Sequence, residues 1–270
     1  MANTDSNFVG SIPQNYDRYL GPFLFEPFAL DLVKRLQVPP AARVLEIACG
    51  TGIATRQLRA HLPSDTTLIA TDLNEPMLDY AKQSLGLGTH VDWRPADAQA
   101  LPFPDAHFDA VVCQFGLMFV PDKGLAIREA RRVLRTGGCF AFNVWANLAE
   151  NPVGRTADQV ISSFFPADPP SFYRVPFGLD DQPLLIDLLS NAGFEVQQSE
   201  RVTLEGRSPC AHDAARGLVL GNPVLFAIQD RGSADPEDII AALGRALVSA
   251  GGEQPLRLPI RAVVFIARAV

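Results

Sequence analysis

The sequence predicts an α/β fold: a doubly wound, mostly parallel sheet covered by helices on both faces. Short apolar runs alternate with helical patterns from residue 43 to residue 145, the signature of strand–helix repetition. The runs are continuously apolar, as in strands buried on both faces. Glycines and acids stand at the ends of successive runs, on the sheet edge where open α/β sheets bind ligands.

The elements follow in order. RVLEIA (43–48) is a strand that stops at a glycine loop, and Ile53, Leu58 and Leu62 share a face of the next helix. TLIATD (67–72) is a second strand ending in an acid. Pro76 sits in the first turn of a helix, where its missing N–H costs nothing, and Gly86 stops that helix. Residues 89–94 form a third strand. Residues 108–114 form a fourth, entered by the turn Phe103-Pro104-Asp105-Ala106. Asp122 opens a helix with Ile127, Ala130, Val133 and Leu134 inward, Gly137-Gly138 ends it, and CFAFNVW (139–145) is the fifth strand.

Beyond Trp145 the alternation breaks. Residues 147–180 are rich in proline and aromatics. A helix runs from Pro183 to Gly193, and residues 194–202 form a strand. A second insertion, about 203–255, contains a helix capped by Asp235, with Pro236 at its first position, Glu237 and Asp238 in its first turn and Gly251 as its stop. Residues 256–270 are the last strand. Phe23, Phe25, Phe28, Leu32 and Leu36 suggest an apolar face on a helical N-terminal segment. The expected organisation is one domain over 1–270. It comprises a helical cover (1–40), a cofactor-binding core (41–146), lid insertions (147–181 and 203–255) and a C-terminal part of the sheet (182–202 and 256–270).

Composition narrows the function. The chain has 270 residues, 47% hydrophobic and 20% charged, which suffices for a globular core. A net charge of −7 argues against a nucleic-acid partner, which normally demands a basic face. Arginine carries most of the positive charge, with one cluster at Arg128, Arg131, Arg132 and Arg135. No apolar run reaches the roughly 18 residues of a membrane span. The polar start, with Asn3, Asp5 and Asn7, lacks a signal pattern, so a cytoplasmic protein is expected. Cys49, Cys113, Cys139 and Cys210 share no metal-ligand spacing, and His61, His90, His107 and His212 are dispersed. They read as reduced thiols and ordinary histidines, with no metal site.

Three strand ends carry suggestive chemistry. Ala48-Cys49-Gly50-Thr51-Gly52 lets the backbone turn sharply and a ligand approach. Asp72, twenty residues past Gly52, suits two ribose hydroxyls. Asp97-Ala98 suits an adenine edge. Singly, each has a plainer reading: a tight turn, a helix cap, a loop acid. Jointly they place three ligand contacts on one sheet edge.

VLEIACGTG, ATDLNEPML, ADAQALPFPDAHFDAVVCQFGLMFV and EARRVLRTGGCFAFNVW resemble, in that order, the motifs of class I S-adenosylmethionine-dependent methyltransferases, within the type 11 domain of quinone-biosynthesis and other small-molecule enzymes. The resemblance covers about 43–145; AGF at 192–194 and YDRYLGPFLFEPFA at 16–29 also fit it. It implies a seven-stranded sheet with an antiparallel last strand and S-adenosylmethionine as methyl donor, leaving S-adenosylhomocysteine. It also implies residue roles: Glu46 near the methionine amino group; Ala48, Cys49, Gly50 and Gly52 as the wall against the cofactor; Asp72 on the ribose. Leu73 and Met77 stand beside the adenine, and Asp97 and Ala98 meet it. Gln114 and Phe115 line the methionine side, and Tyr16 closes over the cofactor. Ala48 departs from the usual first glycine of the loop; its methyl is tolerable where the backbone angles are ordinary.

Two rivals use some of the same features. A nicotinamide-dependent oxidoreductase also wants a glycine loop and a following acid, but Thr55 stands where its third glycine belongs. A non-catalytic cofactor-binding protein needs a decayed site, and this loop and its acids are intact. Methyl transfer is an in-line displacement that needs a general base only where the acceptor must lose a proton. The sequence identifies no base; His212 is a weak candidate and His107, in a turn, a lesser one, since a loop histidine with no visible partner is more often ordinary surface. The aromatic-rich insertions are expected to form an acceptor lid for an apolar or aromatic small molecule; the alternative is that these aromatics only pack.

Overall fold

A computed structural model describes residues 7–86 and 90–270. Asn3, Asp5 and the start of the expected third strand at Thr89 lie outside the described residues. Seven strands form one sheet: β1 (Arg43–Ile47), β2 (Thr67–Asp72), β3 (Val91–Pro95), β4 (Phe108–Gln114), β5 (Leu134–Trp145), β6 (Phe194–Ser208) and β7 (Leu256–Ala269). Their order is β3-β2-β1-β4-β5-β7-β6. The pairs β1–β2, β1–β4, β2–β3 and β4–β5 are parallel, and β7 runs antiparallel to β5. The expected seven-stranded, doubly wound sheet with an antiparallel last strand is the fold observed. Its order reverses between β1 and β4, so the exits of those strands flank the switch point where such sheets take ligands.

The chain divides into two compact units. One comprises Ala29–Trp145, Asp180–Val202 and Ala262–Val270 and holds the parallel strands. Its helices are α3 (Ile53–His61), α4 (Glu75–Leu85), α5 (Lys123–Val133) and α7 (Gln182–Asn191). Leu32, Val44, Leu58, Leu68, Val112 and Val264 belong to its main apolar cluster, and Cys49, Ala70 and Leu78 to another. Asp122 caps α5 by accepting from the Leu125 amide at 2.8 Å, as its sequence position predicts.

The other unit comprises the described residues up to Phe28, Ala146–Leu179 and Thr203–Arg261. It contains α1 (Ile12–Asn15), a π-helical segment (Tyr16–Phe25) and α6 (Pro152–Phe164), followed by α8 (Ala211–Leu220), α9 (Val224–Arg231) and α10 (Pro236–Gly251). Between them, α2 (Glu26–Arg35) bridges the two stretches of sequence. Gly217 of α8 brings that helix onto the side chains of Tyr19 and Leu20, leaving no room for a Cβ. Buried Asn151 joins two stretches of backbone: its Nδ2 donates to the carbonyls of Ala146 (2.9 Å) and Arg261 (3.0 Å), and its Oδ1 accepts from the Arg261 amide (2.8 Å).

Two strands differ from the sequence reading in their limits, and both stretches after Trp145 hold further helices. β5 begins at Leu134, not Cys139, because Phe108 pairs with Leu134 while Ala110 pairs with Cys139; the extra residues bulge out, and Gly137 turns at φ +80°. β6 continues to Ser208, beyond the expected end at residue 202. The stretch after Trp145 contains α6, whose Val153, Ala157 and Ile161 recur at helical spacing and are buried. Proline and aromatic content masked that period. Likewise α8 and α9 accompany α10, the one helix legible in 203–255.

Candidate functional site

The site is built from the exits of β1, β2, β3 and β4. Between β1 and α3, three residues take left-handed backbone angles: Ala48 (φ +54°), Gly50 (+56°) and Gly52 (+80°). The loop is pinned to β2, since the Cys49 amide donates to the Thr71 carbonyl at 2.9 Å. The Gly50 amide donates to Asp72 Oδ2 at 2.8 Å. Gly52 is glycine for a packing reason as well, because a Cβ there would crowd Leu85 (3.0 Å), Ala81 and Trp93 (both 3.2 Å). At Ala48 the backbone is not ordinary: the methyl stands at a position that favours glycine. The condition under which the sequence tolerates it is therefore not met, and the loop stores strain there.

Asp72 is buried, and its Oδ1 accepts from the Asn74 amide at 2.8 Å. Burial raises its pKa, while the Asn74 and Gly50 amides oppose the rise. The Asn74 side chain (3.4 Å) and the Leu73 amide also face the carboxylate. Glu46 is 1% exposed, and its Oε2 has no partner among the described residues. Burial pushes its pKa up to about 8, and the Asp72 charge adds to the rise; the Thr55 hydroxyl and the Arg56 cation pull the other way. The buried hydroxyl of Thr51 also lacks a hydrogen-bond partner among the described residues. Two buried acids and unsatisfied oxygens beneath a backbone cradle suit a ligand bringing an ammonium and hydroxyl donors, and they repel a phosphate. The residues present therefore fit an amino-acid-bearing nucleoside.

Met77 is buried with its terminal methyl over Gly50, 3.7 Å from where a Cβ would lie, while Leu73 is 62% exposed. At the β3 exit, Asp97 Oδ1 accepts from the Gln99 amide (2.8 Å) and the Gln99 side chain (3.2 Å). Gln99 Oε1 accepts in turn from the Asp122 amide (3.0 Å). Ala98 is half-buried in this turn. At the β4 exit Gln114 pairs with Asn143 of β5. Phe115, at φ +50°, is stacked on Trp145 with centroids 3.9 Å apart and planes at 8°. Its amide donates to both Asn143 O (3.2 Å) and Asn143 Oδ1 (3.1 Å).

Glu46, Ala48, Cys49, Gly50, Gly52, Asp72, Leu73, Met77, Asp97, Ala98, Gln114 and Phe115 all lie in one unit. Tyr16 and His212 belong to the other. Tyr16 stacks on Phe25 at 4.6 Å and meets Phe8 edge-on at 5.9 Å. His212 is exposed in the first turn of α8, so it is a helix residue and not the loop residue its sequence suggests. Asn143 and Trp145 escape the sequence reading; the one available signal is a polar residue inside an apolar strand. Among the described residues no three His, Cys, Asp or Glu side chains gather as metal ligands, and no helix is long and apolar enough to cross a membrane.

A family model described as Methyltransferase domain matches residues 45–142. The ubiquinone/menaquinone biosynthesis C-methyltransferase UbiE of Ectopseudomonas mendocina is 33% identical over 171 residues, 58% of this chain and 67% of that protein. The UbiE of Hahella chejuensis is 39% identical over 118 residues, 43% of this chain and 46% of that protein. The match thus spans two thirds of one relative and less than half of the other. Among solved structures, Haemonchus contortus phosphoethanolamine N-methyltransferase 2 in complex with S-adenosyl-L-methionine superposes with a TM-score of 0.63 at 14% identity, over 100% of this chain and 60% of that one. That likeness concerns the fold.

Proposed function

The chain belongs to the S-adenosylmethionine-dependent methyltransferase family, and on that footing we propose that it methylates an apolar or aromatic small molecule with S-adenosylmethionine as donor. The carrying observation is the buried Glu46, with an unpartnered oxygen, under a left-handed loop tethered to Asp72. Glu46 receives the donor's ammonium, and Asp72 accepts from its ribose hydroxyls while it holds the Gly50 amide. Leu73, Met77 and the Asp97-Ala98 turn flank the adenine, and Gln114 and Phe115 bound the methionine side. Tyr16 is assigned to the cover over the donor on the family resemblance alone.

The donor supplies a methyl group on a positively charged sulfur. The methyl carbon–sulfur bond breaks as the bond to the acceptor forms, the sulfur keeps the electron pair, and the acceptor's displaced proton passes to solvent or a base. The protein's part is to orient and to exclude water, which supplies much of the rate when the leaving group is already activated. His212 remains a proposal as base, and its exposed position on α8 favours a surface role.

The acceptor class rests on the UbiE relatives, named for carbon methylation in ubiquinone and menaquinone biosynthesis, and on the aromatic insertions. Phe165, Phe172, Tyr173 and Phe177 are buried, and the Tyr173 hydroxyl donates to the Leu218 carbonyl at 2.6 Å. These aromatics therefore pack first, and acceptor choice is assigned to the segments 147–181 and 203–255 as a whole. A cytoplasmic setting is part of the proposal, supported by cysteines that are all free thiols.

Thermal shifts with S-adenosylmethionine, S-adenosylhomocysteine and NAD test the donor. A ligand at 100 times its Kd adds about 2.7 kcal/mol. Stabilisation by the first two alone is expected, and stabilisation by NAD alone overturns the reading. Exchanging 147–181 and 203–255 for a relative's segments, with acceptor preference unchanged, overturns the assignment of acceptor choice.

A further inference from the structure

We infer that Gly116 is a positioning residue of the donor site, and that it acts through the methyl of Ala48. The inference rests on the donor reading above. Gly116 follows β4 and has φ −100° and ψ −38°. That is right-handed backbone, open to every L-residue, so its own conformation does not demand glycine. Space does. A Cβ on Gly116 would overlap the Ala48 methyl outright and would stand only 3.0 Å from Cys113 Sγ. Ala48 in turn is where a glycine is the comfortable residue, at φ +54°. The two positions form an exchange: the methyl sits on the loop that follows β1, and the turn that follows β4 gives up its own.

Neither side can retreat. β1 and β4 are paired neighbours in the centre of the sheet. Behind Gly116, Phe115 is held by Asn143 at its amide and by Trp145 across its ring. Behind Ala48, the Cys49 amide is bonded to β2 and the Gly50 amide to Asp72. A methyl added at Gly116 therefore displaces the loop or the β4 exit, which are the two arms proposed to hold the donor. Asn143 serves the same end from below, since its side-chain oxygen fixes the amide of the residue before Gly116.

The test is a double-mutant cycle on the full chain: wild type, G116A, A48G and A48G/G116A, with C113A/G116A as a control for the second crowded neighbour. S-adenosylhomocysteine affinity is measured by calorimetry on protein shown to be folded, alongside Tm. G116A is expected to weaken binding by about 10-fold or more, the scale of overpacking a fixed contact. Made in the A48G background, the same substitution is expected to cost less than about 3-fold. C113A is expected not to rescue. Wild-type affinity in folded G116A, even with a lowered Tm, overturns the positioning role. An equal loss in both backgrounds overturns the route through Ala48. If G116A does not fold, the outcome turns on A48G/G116A: folded and binding supports the inference, and failure to fold overturns it. If the wild type binds no S-adenosylhomocysteine, the donor reading fails and the positioning role with it, while the Tm cycle still judges the contact.

Discussion

Asp72, the last residue of β2, and Asp97, two residues past β3, stand at neighbouring strand exits, yet their carboxylates are committed to different partners. Asp72 is buried and reaches across to the amide of Gly50 as well as forward to Asn74. Asp97 is half-exposed and bonds the amide and side chain of Gln99, two residues on. The first acid is a tether between two segments. The second closes a local turn, which Gln99 extends to the start of α5. The difference teaches that an acid's partners, more than its place at a strand end, decide whether it organises a site or a loop.

The largest expected effect separates the two acids. Asp72→Ala removes charge-assisted bonds worth about 1.5–3 kcal/mol and should weaken S-adenosylhomocysteine binding by about 10- to 150-fold. Asp72→Asn should be nearly as severe, because an amide N–H₂ would then face one of two backbone N–H donors. Calorimetry giving wild-type affinity for either variant breaks the assignment.

Next in size is the pH dependence that Glu46 brings to the Asp72 side. Its pKa is raised from 4.5 to about 8 in the fold. Between those values the folded chain keeps a proton that the unfolded chain releases, so this group's contribution to stability declines as pH rises through the window. Glu46→Gln should flatten that decline, read as urea midpoints from pH 4 to 9. A bound ammonium favours the carboxylate, so donor binding near neutral pH should release a proton. Calorimetry in buffers of different ionisation heat should show the release in the wild type and not in Glu46→Gln; equal release in both would remove Glu46 from the ammonium site.

The smallest effect sharpens the comparison from the Asp97 side. If the carboxylate only closes the turn, Asp97→Ala and Gln99→Ala should each lower affinity by a similar small factor, about 5-fold or less, the loss of one ordinary hydrogen bond. A much larger loss for Asp97→Ala alone would show that Asp97 meets the ligand directly.

Legibility followed the range of the forces involved. The parallel strands and their exits were readable because a doubly covered sheet needs continuous apolar runs, and RVLEI and TLIATD supply them. Local caps such as Asp122 and Asp235 were readable because their partners lie two or three residues on. What escaped depends on neighbours distant in sequence. The left-handed angle at Ala48 makes sense only beside Gly116, and the role of Asn143 only beside Phe115. The long β6 and the helices after it escaped because its exposed, charged face resembles a loop.

The interleaving of the two units also has a consequence for biosynthesis. The segment Ile12–Phe25 buries Leu20 and Phe23, and the Gly217 face of α8 receives Tyr19 and Leu20. On the ribosome, nearly two hundred residues must follow that segment before α8 emerges, and α10, which packs on α8, comes later still. The parallel strands meet sooner, with β1 to β5 complete by Trp145. The contacts of this segment with α8 can therefore form only after most of the chain has been made.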